Sequence, residues 1–187
     1  MSLHISFELS QSDLDYFCGI MSAARAKASS VTQQQVIENT ARLLAQVRQS
    51  DTADFIRDRM TQLETLTGML ADKGWGLSDE DRERVITALS YFYEPEDLIP
   101  DDTPGLGFFD DAVMIEIVCK ELEHEIQAYK EFVAYRAAEI QKREEHFKEP
   151  EKSDWLETRR QQLHSRMRRR RKGQSDGKKT KSPFSLL

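Results

Sequence analysis

The feature that most constrains the fold is the stretch from residue 110 to residue 148, which contains neither glycine nor proline. Because an α-helix rises 1.5 Å per residue, this stretch can form one continuous helix of roughly 60 Å. Its apolar residues recur in steps of three and four, the period of a helix face. They are Cys119, Leu122, Ile126, Tyr129, Val133, Ala137 and Ile140. Such a helix outruns a compact bundle, so its second half predicts a coiled-coil arm that packs against a second subunit or an adjacent helix.

Shorter helices are predicted before it, each from a capping residue followed by helical spacing of apolar side chains. Ser10 or Ser12 is expected to cap the first helix, Thr32 with Gln35 forms a capping box for the second, and Ser78 caps the fourth. We therefore expect an all-α protein of five to six helices, with a helical body over residues 10–148.

The first nine residues have a different period. Leu3, Ile5, Phe7 and Leu9 alternate with polar residues, which predicts an extended arm over residues 1–9. A lone strand is unstable, so we expect it to pair with another copy or to lie across the body.

Charge divides the chain unevenly. Residues 1–157 carry 16 basic and 32 acidic side chains, whereas residues 158–187 carry 11 basic and one acidic. One more helix is expected over residues 155–172, followed by a disordered tail, so that residues 149–187 form a basic helix and tail. An apolar fraction of 39% argues against disorder of the whole chain.

Composition also excludes several classes of protein. The first residues lack the pattern of a secretory signal, and no apolar stretch approaches the roughly 20 residues of a transmembrane helix. Cys18 and Cys119 have no CxxC partner and are expected to be reduced. The expected location is the cytoplasm, with peripheral contact with a membrane left open.

The segment from 91 to 111 is the most unusual part of the chain. It reads YFYEPEDLIPDDTPGLGFFDD and holds three of the five prolines, which predicts a loop of fixed shape. No Lys, Arg or His occurs between Arg84 and Lys120. The same interval contains eight carboxylates: Glu94, Glu96, Asp97, Asp101, Asp102, Asp110, Asp111 and Glu116.

This run resembles the signature of the YkvA-like family, a bacterial domain of unknown function. The residues that match its motif are Pro95, Asp97, Leu98, Ile99, Pro100, Asp101, Pro104, Gly107, Asp110 and Asp111. The resemblance covers about residues 85–119 and implies two helices joined by a rigid loop. It implies no reaction.

Two interpretations of the acidic loop remain open. Carboxylate clusters suit Mg, Ca or Mn, so Asp97, Asp101, Asp110 and Asp111 are candidate ligands of a divalent cation, the one cofactor considered. Alternatively, Asp97 and Asp110 cap helical turns, with Phe109 and Met114 as a hydrophobic staple.

The second candidate site is the arginine block. Such blocks of basic residues commonly contact phosphate backbones or anionic lipid surfaces. The residues of the block are Arg166, Arg168, Arg169, Arg170, Arg171 and Lys172. The alternatives are a solubilising tail, or a tail that docks on the acidic loop of its own chain or of a partner subunit.

No nucleophile motif and no phosphate-binding loop occur in the sequence, so no catalytic residue is nominated. We therefore expect a non-enzymatic interaction or scaffold protein that self-associates and contacts nucleic acid or an anionic surface through its basic tail. A metal-binding or metal-dependent hydrolytic protein built on the acidic loop is the alternative.

Overall fold

The computed structural model describes residues 8–27, 31–93, 98–103, 106–145 and 154–177, and their regular structure is entirely helical. The α-helices are α1 (Gln11–Lys27), α2 (Gln33–Gln49), α3 (Asp54–Ala71), α4 (Asp79–Leu89), α5 (Phe109–Glu121), α6 (Glu123–Glu145) and α7 (Asp154–Gly177). A 3₁₀ turn, Ser90–Tyr93, follows α4. The all-α prediction is confirmed, with more helices in the described residues than the five or six expected.

Three helices begin as the capping residues predict. The Ser10 hydroxyl accepts a hydrogen bond from the Asp13 amide at 3.3 Å. Thr32 and Gln35 form the complete capping box at the start of α2. The hydroxyl of Ser78 accepts from the backbone amide at position 81 at 3.2 Å and starts α4. These starts are local features, which the sequence pattern captures.

The prediction of one continuous helix over residues 110–148 is wrong, because the helix is interrupted at Leu122. The backbone there has φ −102° and ψ 22°, outside the helical range, and α6 starts at the next residue. Leu122 is fully buried. Helix α5 is buried on several sides, whereas α6 begins with charged residues. The backbone change at Leu122 therefore separates α5 from α6, and both helices contribute buried residues to the core.

The core lies around α3 and α5, which pack against each other and against other helices of the bundle. Ile56, Leu63 and Leu66 of α3 and Met114 and Ile115 of α5 have no exposed side-chain surface. Outside these two helices, Trp75 and Phe132 are equally buried, and their ring centroids lie 5.2 Å apart. This aromatic contact connects the segment after α3 to α6.

Helix α7 packs along α6. Of the two partners expected for the second half of the long helix, an adjacent helix is therefore present, while self-association stays a prediction. Residues 173–177, expected to be disordered, continue α7 as helix. The rest of the predicted tail lies outside the described residues.

Residues 1–7 of the predicted extended arm also lie outside the described part of the chain. Cys18 is buried and Cys119 half-buried, and neither forms a disulfide bond. Burial raises the pKa of the Cys119 thiol to about 12. Within the described ranges, none of the helices combines the length and apolar character that crossing a membrane requires.

Candidate functional site

One face of α7 belongs to the hydrophobic core. Leu163 and Met167 are each 1% exposed. His164, between them, stacks on Trp75 with ring centroids 4.1 Å apart and an interplanar angle of 23°. Its Nε2 lies 3.1 Å from the Trp75 carbonyl oxygen. Positions 163, 164 and 167 therefore fix which side of α7 faces the other helices, and with it which arginines of α7 lie on that side.

Two arginines of the block point at the buried carboxylate of Asp81. Arg168 donates from Nε and Nη2 to Asp81 Oδ2 at 3.1 and 2.8 Å. Arg171 Nη1 donates to Asp81 Oδ1 at 2.9 Å. Burial alone raises the pKa of Asp81, but hydrogen bonds from Arg168, Ser78 and Arg171 outweigh it and hold the pKa below its ordinary value.

A second buried carboxylate completes this network. Glu125 of α6 is 1% exposed, and its Oε1 accepts from Arg84 Nε at 3.2 Å and from Arg171 Nη1 at 3.0 Å. Arg171 also approaches Glu80 at 3.3 Å. Buried charges tolerate desolvation only when they are paired, so this network sets the position of α7 against α4 and α6.

The other basic residues of the arginine block do not contact Asp81 or Glu125. Arg166 pairs with Glu131, and Arg170 Nη1 donates to the Gln127 side chain at 2.8 Å. Arg169 donates from Nε to the carbonyl of Ser165, one turn earlier in α7, at 3.4 Å. Arg169, Arg170 and Lys172 are exposed. The arginine block is therefore divided into an inner set that docks the helix and an outer set that faces solvent.

The basic helix does dock on carboxylates of its own chain, but these lie on α4 and α6. The sequence had suggested the acidic loop as the partner. Asp81, Glu125 and Glu131 are not among the partners that the sequence pattern indicates. One signal was available: Arg171 follows Met167 by four residues and Leu163 by eight, so the helical period places it on the buried stripe.

Asp110 has a structural role in the loop. Its Oδ2 accepts hydrogen bonds from the backbone amides of Leu98 at 2.7 Å and Ile99 at 3.4 Å, and the residue is 3% exposed. It is not the cap of α5, however, because α5 begins at Phe109 after Phe108, whose φ is 64°. The predicted staple between Phe109 and Met114, which required Asp110 as the cap, does not apply.

Gly107 holds the loop closed. A Cβ atom at this position would lie 2.1 Å from the carbonyl oxygen of Asp101 and 3.3 Å from that of Thr103. The amide of Gly107 donates to the Thr103 carbonyl at 2.8 Å. The glycine of the motif is thus explained by close approach of two backbone segments.

The proposed cation ligands are only partly described. Asp97 lies outside the described residues, Asp110 and Asp111 are buried, and Asp101 is half-buried. Among the residues that the structure describes, no three His, Cys, Asp or Glu side chains are grouped so that they could hold a metal. Glu116, one of the eight carboxylates, pairs with Arg59 at 2.9 Å. The cation site stays a prediction.

Comparison with known proteins gives one match, over the loop and its flanking helices. Residues 84–117 match the model of the family described as "Protein of unknown function (DUF1232)". Neither the curated proteins nor the solved structures contain a significant match to the chain. The match covers the segment that resembles the YkvA-like signature and is consistent with that resemblance.

Proposed function

We propose that this protein is a non-enzymatic helical interaction module that binds nucleic acid through the outer face of α7. The observation that carries the proposal is the division of the arginine block. Arg168 and Arg171 are held by buried carboxylates, while Arg169, Arg170 and Lys172 are exposed on the same helix. A rigid, exposed basic surface is the electrostatic footprint expected of a protein that binds phosphate backbones.

The charge of the outer face supports a polyanionic ligand. Residues 158–173 contain no acidic residue, so every charged side chain contributed by this part of α7 is basic. The carboxylates that approach the arginine block, residues 166–172, belong to other helices and contact Arg168 and Arg171 or the edge at Arg166. Phosphates that reach the outer face therefore meet several positive charges carried on one fixed helix.

A nucleic acid suits this surface better than a membrane does. An amphipathic helix that inserts into a lipid interface needs an exposed apolar face. The apolar residues Leu163 and Met167 are buried in the core, and Leu156 is packed against it. Contact through α7 is thus electrostatic and polar, which matches a phosphate backbone.

The buried charged groups also support an interaction role. Asp81 and Glu125 are bound by arginines, as described above. Asp72 accepts two hydrogen bonds from Arg136, at 3.0 and 2.8 Å, and one from the Tyr129 hydroxyl at 3.2 Å. These contacts connect separate parts of the fold, so the buried carboxylates have a structural role, which suits a non-enzymatic protein.

Fluorescence anisotropy with labelled mixed-sequence duplex DNA tests the proposal. We expect binding whose affinity falls with salt, and we expect the triple variant Arg169→Ala, Arg170→Ala, Lys172→Ala to lose most of it. Each phosphate contact contributes about 0.9 to the steepness of log affinity plotted against log salt concentration. The plot for this variant should therefore be shallower by about 2 to 3.

A matched control removes the same charge elsewhere. Arg42, Lys73 and Lys120 are exposed and lie outside α7, so the triple alanine variant at these positions should bind as the unaltered protein does. Equal losses in the two triple variants would show that net charge matters and α7 does not. Binding to anionic phosphatidylserine vesicles without binding to DNA or RNA would overturn the choice of nucleic acid.

A further inference from the structure

The outer face of α7 has three parallel rows of side chains. Because successive residues of an α-helix lie about 100° apart around its axis, Gln162, Ser165 and Arg169 share the central row. Arg170 lies about 100° from this row around the helix axis, on the side that faces α6, and Lys172 lies about 50° from it on the other side. All five residues are exposed. The helix thus presents hydrogen-bonding groups along its centre and positive charges along both edges.

Building on the nucleic-acid binding proposed above, we propose that α7 enters the major groove of B-form DNA. Gln162, Ser165 and Arg169 then face base edges, while Arg170 and Lys172 contact the phosphates on either side. This division follows the general pattern in which backbone contacts position a protein and contacts with base edges provide sequence preference.

The central row has the chemistry that base recognition requires. Arginine binds guanine O6 and N7 in the major groove, glutamine binds adenine N6 and N7, and serine hydrogen-bonds to several bases. Within the described part of the chain, no hydrogen bond occupies the Gln162 amide, and the terminal nitrogens of Arg169 are not engaged. Arg170, at the edge, is held by Gln127. The central groups are therefore available, and the edge is positioned by the body.

The dimensions also favour duplex DNA. The major groove of B-form DNA is about 12 Å wide and admits an α-helix. The acid-free segment, residues 158–173, is roughly 24 Å long at 1.5 Å per residue, enough to follow the groove for several base pairs. The major groove of duplex RNA is too deep and narrow for side chains to read. Single strands are usually held by stacking on aromatic residues, and this segment contains no Phe, Tyr or Trp.

The experiment compares two neighbouring arginines that carry the same charge. Anisotropy is measured for the full chain, Arg169→Ala and Arg170→Ala with four probes of one sequence: duplex DNA, duplex RNA, single-stranded DNA and duplex DNA containing 7-deazaguanine. The sequence is one enriched by selection from a random duplex library. The modified base lacks the N7 acceptor in the major groove and keeps the phosphate charge.

We expect the full chain to bind duplex DNA more tightly than the RNA duplex or the single strand, and to lose about tenfold in affinity on 7-deazaguanine DNA, within the range of one base contact. Arg169→Ala should show the same loss on ordinary DNA and no further loss on the modified DNA. Arg170→Ala should weaken binding to the ordinary and the 7-deazaguanine duplex DNA by the same factor, and so keep the 7-deazaguanine effect.

Three results would overturn the groove-binding mode while leaving nucleic-acid binding intact. They are equal affinity for the three unmodified probes, no effect of 7-deazaguanine on the full chain, and equal behaviour of the two arginine variants. Absence of binding to every probe would instead refute the proposed function itself, so the two failures are distinguishable.

Discussion

Arg171 donates through one nitrogen to Asp81 at 2.9 Å and to Glu125 at 3.0 Å, and these carboxylates are 0% and 1% exposed. The guanidinium thus connects α7 to α4 and α6 at a single point. Arginine suits this position because its charge is permanent and its planar fork offers several donors at once. Breaking a buried ion pair by removing one partner leaves a buried charge uncompensated, which is strongly destabilising.

The first prediction concerns this contact. Arg171→Ala should lower the free energy of unfolding by about 2 kcal/mol, less than the 3–5 kcal/mol of a fully isolated buried charge, because Arg168 still pairs with Asp81 and Arg84 with Glu125. Urea denaturation followed by circular dichroism measures the change.

The control for this prediction is Arg169→Ala, which removes an arginine from the outer face of the same helix. Arg169 is exposed, so its loss should change the unfolding free energy by less than about 0.5 kcal/mol. Equal effects of the two substitutions would contradict the inner and outer division of the arginine block.

The second prediction concerns pH and His164. Burial, together with the nearby positive charges of Arg168 and Arg160, lowers the pKa of this imidazole below its ordinary value of 6.5. The folded state therefore favours the neutral ring, and the unfolded chain binds a proton more readily. Stability is fully present above pH 6.5 and is lost progressively as the pH falls from 6.5 towards the lower pKa of the folded state.

Urea midpoints at pH 8.0 and pH 5.5, compared between the unaltered protein and His164→Phe, measure this dependence. Phenylalanine keeps an aromatic ring beside Trp75 but cannot be protonated. The unaltered protein should lose more stability on acidification than the variant does. The same loss in both proteins would show that other groups account for the acid sensitivity in this range.

Helix starts were predictable from the sequence because their determinants are local. Thr32 and Gln35 are three residues apart, and both halves of their capping box form as expected. Ser78 likewise caps α4 within its first turn. Such contacts require only that the chain be helical, so they can be inferred without knowledge of the tertiary fold.

The bend at Leu122 and the docking of Arg171 were not predicted, for different reasons. Leu122 is neither glycine nor proline, so no local feature of the sequence marks the change of backbone conformation there. Arg171 and Asp81 are 90 positions apart, and the six basic residues of the block are nearly equivalent as composition. The helical phase set by Leu163 and Met167 places Arg171 on the buried side of α7 and Arg169 on the far side.

The third prediction concerns the closed loop before α5. Gly107→Ala would place a Cβ atom 2.1 Å from the Asp101 carbonyl oxygen, so the two backbone segments must separate. We expect a loss of about 2 kcal/mol or more in unfolding free energy, as for other strained backbone substitutions. Chemical denaturation measures this loss.

Gly173→Ala in α7 is the matched control, since its added Cβ meets no atom within 4 Å. Replacing glycine by alanine inside an exposed helix should stabilise the protein by about 0.5 to 1 kcal/mol. Opposite signs for the two substitutions are therefore expected, and a neutral Gly107→Ala would contradict the close backbone approach described for the loop.

The fourth prediction separates the structural and metal-binding interpretations of Asp110. Because its carboxylate accepts from the Leu98 and Ile99 amides, Asp110→Ala should remove about 1–3 kcal/mol of stability. Asp110→Asn keeps an acceptor oxygen and should lose less. Asp102→Ala, at an exposed position of the same loop, should have an effect within about 0.5 kcal/mol.

Thermal melting of each protein with Mg, Mn and Ca completes the test. A stabilising shift that Asp110→Asn abolishes would support a cation site in the loop, whereas equal melting with and without each metal would leave Asp110 with the structural role alone.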